Sequence, residues 1–151
     1  MITAAEASDR LAAALGGGDA ARLAASALVE ADALGMPRFG IAMLDEWRAG
    51  SAPVPEIESA IESGQPVSFV DCSSCFAPLA VAGATLALAG NARRYGIAAI
   101  FLRGVRGFGR LAPFVRHLAD TGLLGMAGAE GPPFVAPHGG TGPVIGTNPF
   151  A

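Results

Sequence analysis

The sequence predicts an α/β protein: a small N-terminal helical part, then a β-α-β-α-β unit of a mixed or parallel sheet, the whole incomplete without a second chain. Three observations lead there. The first 50 residues carry helical spacing punctuated by caps and glycines. From Val67 onward, short apolar runs alternate with longer helical segments, the order that builds right-handed crossovers. The 151 residues are 52% hydrophobic and only 15% charged, which supports a packed core and excludes a disordered or solvating segment.

Each element has its own signal. Thr3-Ala4-Ala5-Glu6 is a capping box that opens a helix with Leu11 and Leu15 at helical spacing, and Gly16-Gly17-Gly18 ends it. Asp19 is expected to cap a second helix reaching about Leu34, with Leu23, Leu28 and Ala31 on one face and Gly35 as the stop. Ile41 to Trp47 reads as a shorter third helix closed by Gly50. Pro53 and Pro55 then divide a helical part (1–50) from an α/β part (51–151). Val67-Ser68-Phe69-Val70 is a strand, and the uncharged, alanine-rich stretch up to Tyr95 is a long buried helix ended by Gly96. Ile97 to Leu102 is a continuous apolar strand of the kind buried on both faces. Leu111 to Thr121 is a helix with Phe114, Val115 and Leu118 inward, and Leu123 to Ala127 is a third strand. A loop rich in Gly and Pro follows from Gly131.

Charge and composition exclude several function classes. The net charge is −3, so the chain as a whole has no electrostatic footprint for nucleic acid. The two cysteines, Cys72 and Cys75, do not make a disulfide framework and suit a reducing, cytoplasmic setting. No basic-then-apolar signal opens the chain. The uncharged run from Cys72 to Ala92 is long enough to span a bilayer, but its Pro, Gly and hydroxyl content and its alanines favour a buried helix, so no membrane is expected.

Several residues could carry chemistry. Cys72-Ser73-Ser74-Cys75 has the spacing of a redox or metal pair, and a following helix N-terminus would lower a thiol pKa. No histidine lies near it in sequence, so buried small-residue packing is the favoured reading. Asp71, at a strand end, is a site candidate that could equally cap the next helix. The loop Arg103-Gly104-Val105-Arg106-Gly107-Phe108-Gly109-Arg110 sets Arg103, Arg106 and Arg110 among glycines between a strand and a helix, an arrangement suited to a carboxylate or phosphate. His138, before Gly139 and Gly140, matches segments that lend an oxyanion-hole amide in some hydrolases. His117 reads as a satisfied helical histidine. In Thr147-Asn148-Pro149, the proline is expected to hold Asn148 extended.

Ala31-Asp32-Ala33-Leu34-Gly35, the run from Ala92 to Ala98, and the stretch from Val135 through Gly139-Gly140 to Gly146-Thr147-Asn148-Pro149 together resemble the malate/L-lactate dehydrogenase-like family. The resemblance covers nearly the whole chain, as the first half of a family member. It implies an NAD(P)-dependent oxidoreductase, unrelated in fold to the Rossmann dehydrogenases and usually dimeric, with the Asp71 segment near its active site. Two departures stand out. Where relatives carry Ser-His-Gly, the histidine acting as acid/base, this chain reads Arg38-Phe39-Gly40. Where a second motif places Asn and His, it has Gly104 and Gly107.

The stop after Ala151, straight after the GTNP segment, together with these losses, leads to the expectation of a repurposed scaffold. The expected protein is the first chain of a two-chain, self-cleaved enzyme hydrolysing an amide or related acyl bond, without a cofactor. Its Ser, Thr or Cys nucleophile would open the partner chain. In that reading Thr147, Asn148 and Asp71 are catalytic, while Arg38, Arg103, Arg106 and His138 bind a small carboxylate-bearing substrate. The assembly is a dimer of two-chain units, with no metal. The alternative keeps the family's activity on 2-hydroxy or 2-oxo acids or cyclic imines, with NAD or NADP. A further alternative is a non-catalytic scaffold chain.

Overall fold

A computed structural model describes residues 2–45 and 65–151. The described elements run α1 (Ala4–Ala14), α2 (Gly18–Ala33), single 3-10 turns at Pro37–Phe39 and Ile41–Met43, β1 (Val67–Asp71), α3 (Ala77–Tyr95), β2 (Ala99–Arg103) and α4 (Ala112–Asp120). Helices and a small parallel sheet make this an α/β arrangement, as the sequence predicts.

The capping box forms as expected. The Thr3 N–H donates to Glu6 Oε2 at 2.8 Å, and the Glu6 N–H donates to Thr3 Oγ1 at 3.2 Å. These bonds to Thr3 hold the Glu6 carboxyl below its ordinary pKa of 4.5. The second helix starts one residue before the expected cap. Gly17, in a left-handed conformation (φ +74°), takes the N-cap position, and Asp19 lies in the first turn paired to Arg22. A glycine there reverses the chain without a side-chain cap, which leaves Asp19 to favour the helix through its charge alone. The predicted helix from Ile41 begins as a 3-10 turn, and Leu44 and Asp45 are helical. Its remainder, Gly50 and the boundary expected at Pro53 and Pro55 lie outside the described residues.

The long helix α3 is the centre of the molecule. One of its sides, with Leu79 and Ala82, packs with Leu11, Leu15, Leu28, Met43 and Phe114. The other, with Ala80 and Ala84, packs against Val70 and Cys72, with Ile100 and Leu102 beside them. Alanines permit this double burial, because a helix with small side chains can be approached closely by a layer on each side. Arg93, in the last turn, donates to the Thr121 carbonyl at 3.1 Å and ties the end of α3 to the end of α4. In α4, Phe114 and Leu118 are buried and Val115 is half-buried.

β1 and β2 pair in parallel, from Val67 opposite Ala99 to Asp71 opposite Arg103. Two expectations fail here. First, the sheet has two strands among the described residues, and Leu123–Ala127 is not a third. That segment instead exchanges two 2.8 Å hydrogen bonds between Ala127 and Ala151, and the Ala129 N–H donates to the Pro149 carbonyl at 3.0 Å. Its backbone partner is the returning tail, which satisfies the same groups a sheet neighbour would. Second, among the described residues β2 is covered on one face only. α3 covers the face bearing Ser68 and Val70, whereas Phe69 is 77% exposed and Phe101 55%. The two rings stack with centroids 4.9 Å apart. No described helix is long and apolar enough to cross a membrane.

Candidate functional site

The C-terminal ends of parallel strands, where the chain turns into loops, are where α/β proteins gather functional groups. Here β1 and β2 end side by side at Asp71 and Arg103, and the Cys72 N–H continues the ladder to the Arg103 carbonyl at 2.8 Å. Asp71 does not cap α3. Its Oδ1 accepts the Ser73 N–H at 2.9 Å, which closes a tight turn at the strand end. Hydrogen bonds from the Ser73 hydroxyl and amide, with the charge of Arg103 adding to them, hold the Asp71 carboxyl below its ordinary 3.8. Asp71 is therefore an anion at neutral pH and not a proton donor.

The loop 103–110 meets this turn at Gly104. A Cβ there would lie 2.8 Å from the Ser73 Cα, and the residue has φ +75°, so both space and backbone demand glycine. At its other end, Gly109 has φ +84°, and a Cβ on it would lie 3.2 Å from the Phe39 carbonyl oxygen. The 103–110 loop thus touches the 71–75 turn at one end and the 36–43 segment at the other; Asp71 and Arg103 lie side by side, with Arg106 on the loop and Arg38 on the 36–43 segment. Both of those arginines are exposed. Phe39 is 49% exposed, so it does not fill a pocket.

Arg110 does not join them. It turns away to α2, where its Nη1 donates to Glu30 Oε1 at 2.8 Å, while Arg116 from α4 donates to the other Glu30 oxygen. The expected grouping of three loop arginines is therefore a pair, because the third is neutralised by a carboxylate 80 residues earlier in the chain.

Cys72 is buried and its thiol is pushed up to about 11, chiefly by burial, with the nearby Cys75 adding to the rise. The helix begins only at Ala77, too far along to activate Cys72, which packs with Val70, Ala80 and Ala84 as the small-residue reading expects. No group of three or more His, Cys, Asp or Glu is placed to hold a metal among the described residues.

Thr147, Asn148 and His138 belong to a separate part of the structure. Asn148 is left-handed (φ +39°) rather than extended, and its Oδ1 accepts the Gly131 N–H at 2.9 Å. This bond holds the GTNP segment across the Gly131 turn, and it outweighs the preference set by Pro149. A Cβ at Gly131 would meet Thr147 Oγ1 at 3.1 Å. His138 is exposed within a turn closed by the Gly140 N–H donating to the Pro137 carbonyl at 2.8 Å. Among the described residues, no hydrogen bond or ion pair joins these three to Asp71 or the arginines.

Sequence reasoning missed two carboxylates. Asp32 Oδ2 accepts the Ile41 N–H at 3.1 Å, and its side chain lies against Gly40. It belongs to the Ala31–Gly35 run that carries the family resemblance, which was the available signal. Glu30, two residues before it, gave none.

The chain matches the family model described as malate/L-lactate dehydrogenase over residues 4–151. It is 34% identical over 116 residues to a Delta(1)-pyrroline-2-carboxylate/Delta(1)-piperideine-2-carboxylate reductase of Pseudomonas syringae pv. tomato, covering 77% of this chain and 33% of the relative. It is 38% identical over 98 residues to a Delta(1)-pyrroline-2-carboxylate reductase of Agrobacterium fabrum, covering 65% and 28%. A (2R)-3-sulfolactate dehydrogenase (NADP(+)) of Chromohalobacter salexigens is 32% identical over 135 residues, covering 87% and 40%. The matched stretches thus span well under half of these relatives' lengths. The relatives are reductases and a dehydrogenase, which overturns the expectation of amide hydrolysis by a self-cleaved, cofactor-free hydrolase. By the match over nearly its entire length, this chain belongs to the malate/L-lactate dehydrogenase family.

Proposed function

We propose that this chain supplies the carboxylate-holding part of an NAD(P)-dependent oxidoreductase that reduces a cyclic imino acid or a 2-oxo acid. The observation that carries this reading is the sheet end, where exposed Arg103 lies beside Asp71, whose carboxylate is already engaged by Ser73, and opens the loop that carries exposed Arg106. Arg103 and Arg106, with Arg38 from the facing turn, pair with the substrate carboxylate. The guanidinium fork suits that planar anion better than a lysine would. Asp71 orients Arg103 by charge.

Bound NADH or NADPH would supply the hydride. The resemblance implies polar residues at the positions of Phe39 and Gly107, so in this reading the proton that completes the reduction comes from another group.

The test is NADH and NADPH oxidation with Δ1-pyrroline-2-carboxylate and with 3-sulfopyruvate, using the chain with everything that co-purifies. Turnover is expected, with Arg106→Ala raising KM far more than it lowers kcat. Turnover that is insensitive to Arg106→Ala, Arg103→Ala and Arg38→Ala would remove the carboxylate assignment. Absence of turnover with either nucleotide would remove the oxidoreductase reading.

A further inference from the structure

The last turn of α2 holds an arrangement that helix electrostatics disfavours. A helix C-terminus carries partial negative charge and prefers cations, yet Glu30 and Asp32 sit there, just before the end at Ala33, with no basic residue in that turn. Each acid has a partner elsewhere in the fold. Asp32 holds the Ile41 amide and abuts Gly40 in the segment that carries Arg38. Glu30 bridges Arg110 and Arg116. The Glu30 and Arg110 side chains are only 29% and 22% exposed, so water screens their pairing less than it would an open surface pair.

From this we propose that Glu30 is a positioning residue for the carboxylate-binding loop, an inference that rests on the proposed function. The loop is fixed at Gly104 against Ser73 and at Gly109 against the Phe39 carbonyl, and Val105 packs beside the core cluster of Val70 and Cys72. Glu30 supplies the remaining anchor by holding Arg110. It fixes the C-terminal stem of the loop, so Arg106 is presented to the substrate end from a restrained backbone.

The test uses Glu30→Gln, which keeps the shape and one acceptor but removes the charge, and Arg116→Ala, which removes the second tether while leaving Glu30 to Arg110. Two readouts are taken on the chain with its co-purifying partners. One is affinity for pyrrole-2-carboxylate, a planar carboxylate probe. The other is the rate of tryptic cleavage after Arg106 relative to cleavage after Arg10 on α1. Glu30→Gln is expected to weaken probe binding about tenfold, the scale of one charge-assisted hydrogen bond, and to speed cleavage after Arg106. Arg116→Ala should shift both in the same direction by less. Unchanged affinity and cleavage in Glu30→Gln overturn the proposal, as does faster cleavage with unchanged affinity, which reduces Glu30 to a fold contact. Should the wild-type protein fail to bind the probe, the proposed function falls, while the cleavage ratio still decides whether Glu30 restrains the loop.

Discussion

Replacing Gly40 with alanine tests the junction between α2 and the turn that carries Arg38. The steric cost has two sources. An added Cβ would sit 2.6 Å from Asp32 Cγ and 3.0 Å from the Leu28 carbonyl oxygen. The carboxylate can swing away, but only by releasing the Ile41 N–H, a loss of about 1.5 kcal/mol at the lower end for a charged acceptor in a partly exposed site. The Leu28 carbonyl belongs to the helix and cannot move freely, which adds about 1.5 kcal/mol of overpacking. Together, Gly40→Ala should cost about 3 kcal/mol, or about 9 °C in Tm for a chain of this size. Urea unfolding followed by far-UV circular dichroism measures it. The double mutant isolates the cause. In an Asp32→Ala background the carboxylate is already gone, so Gly40→Ala should cost only the Leu28 part, giving a coupling of about 1.5 kcal/mol between neighbours. Equal costs in the two backgrounds, or a Gly40→Ala cost below about 0.5 kcal/mol, would refute the reasoning.

Gly104→Ala should be worse tolerated than an ordinary surface change, by about 2 kcal/mol or more, since a left-handed φ and the Ser73 backbone oppose it together. Ser73→Gly should not restore its Tm, because the Ser73 Cα is itself within 2.8 Å of the added atom. Thr3→Ala should lower stability by about 1 kcal/mol through loss of the N-cap, read as a shift in urea midpoint. The carboxyls of Glu6 and Asp71 are both lowered in the folded chain, so their contribution is full above the ordinary values of 4.5 and 3.8 and disappears as pH falls through the lower folded values. Urea midpoints should therefore be flat from pH 7 to pH 5 and fall towards pH 3. With a thiol pKa near 11 and 1% exposure, Cys72 should resist iodoacetamide at pH 8 until the chain is unfolded, while Cys75, partly exposed, should react first in a mass-resolved time course.

What the sequence reveals here is what lies within a few residues. The Thr3–Glu6 box, the glycine stops at 35 and 96, and the small-residue helix from Ala77 are local matters of backbone geometry and spacing, and they appear where expected. Asp19 misleads because a glycine in a left-handed conformation can begin a helix as well as an acid can. Leu123–Ala127 has a strand's apolar pattern, but pattern does not choose the partner, and the tail at 149–151 supplies one outside the sheet. At the site, the family resemblance brings the Arg38 turn and the 103–110 loop into consideration, and the parallel register puts Asp71 beside Arg103. The fate of Arg110 was not legible, since it depends on a carboxylate 80 residues away that no spacing rule connects to it. The Asn148 geometry was hidden for the same reason: its side chain answers to Gly131, 17 residues back.

The stacked Phe69 and Phe101 have a consequence for the life of the chain as well as for its chemistry. Open aromatic surface is what proteases and holdase chaperones bind in incompletely buried proteins. A chain carrying that surface among its described residues persists in proportion to how much of it is covered, so anything that covers it should lengthen the chain's half-life. Half-life then becomes a gauge of how far that face is buried, readable by pulse-chase even where no activity is measured.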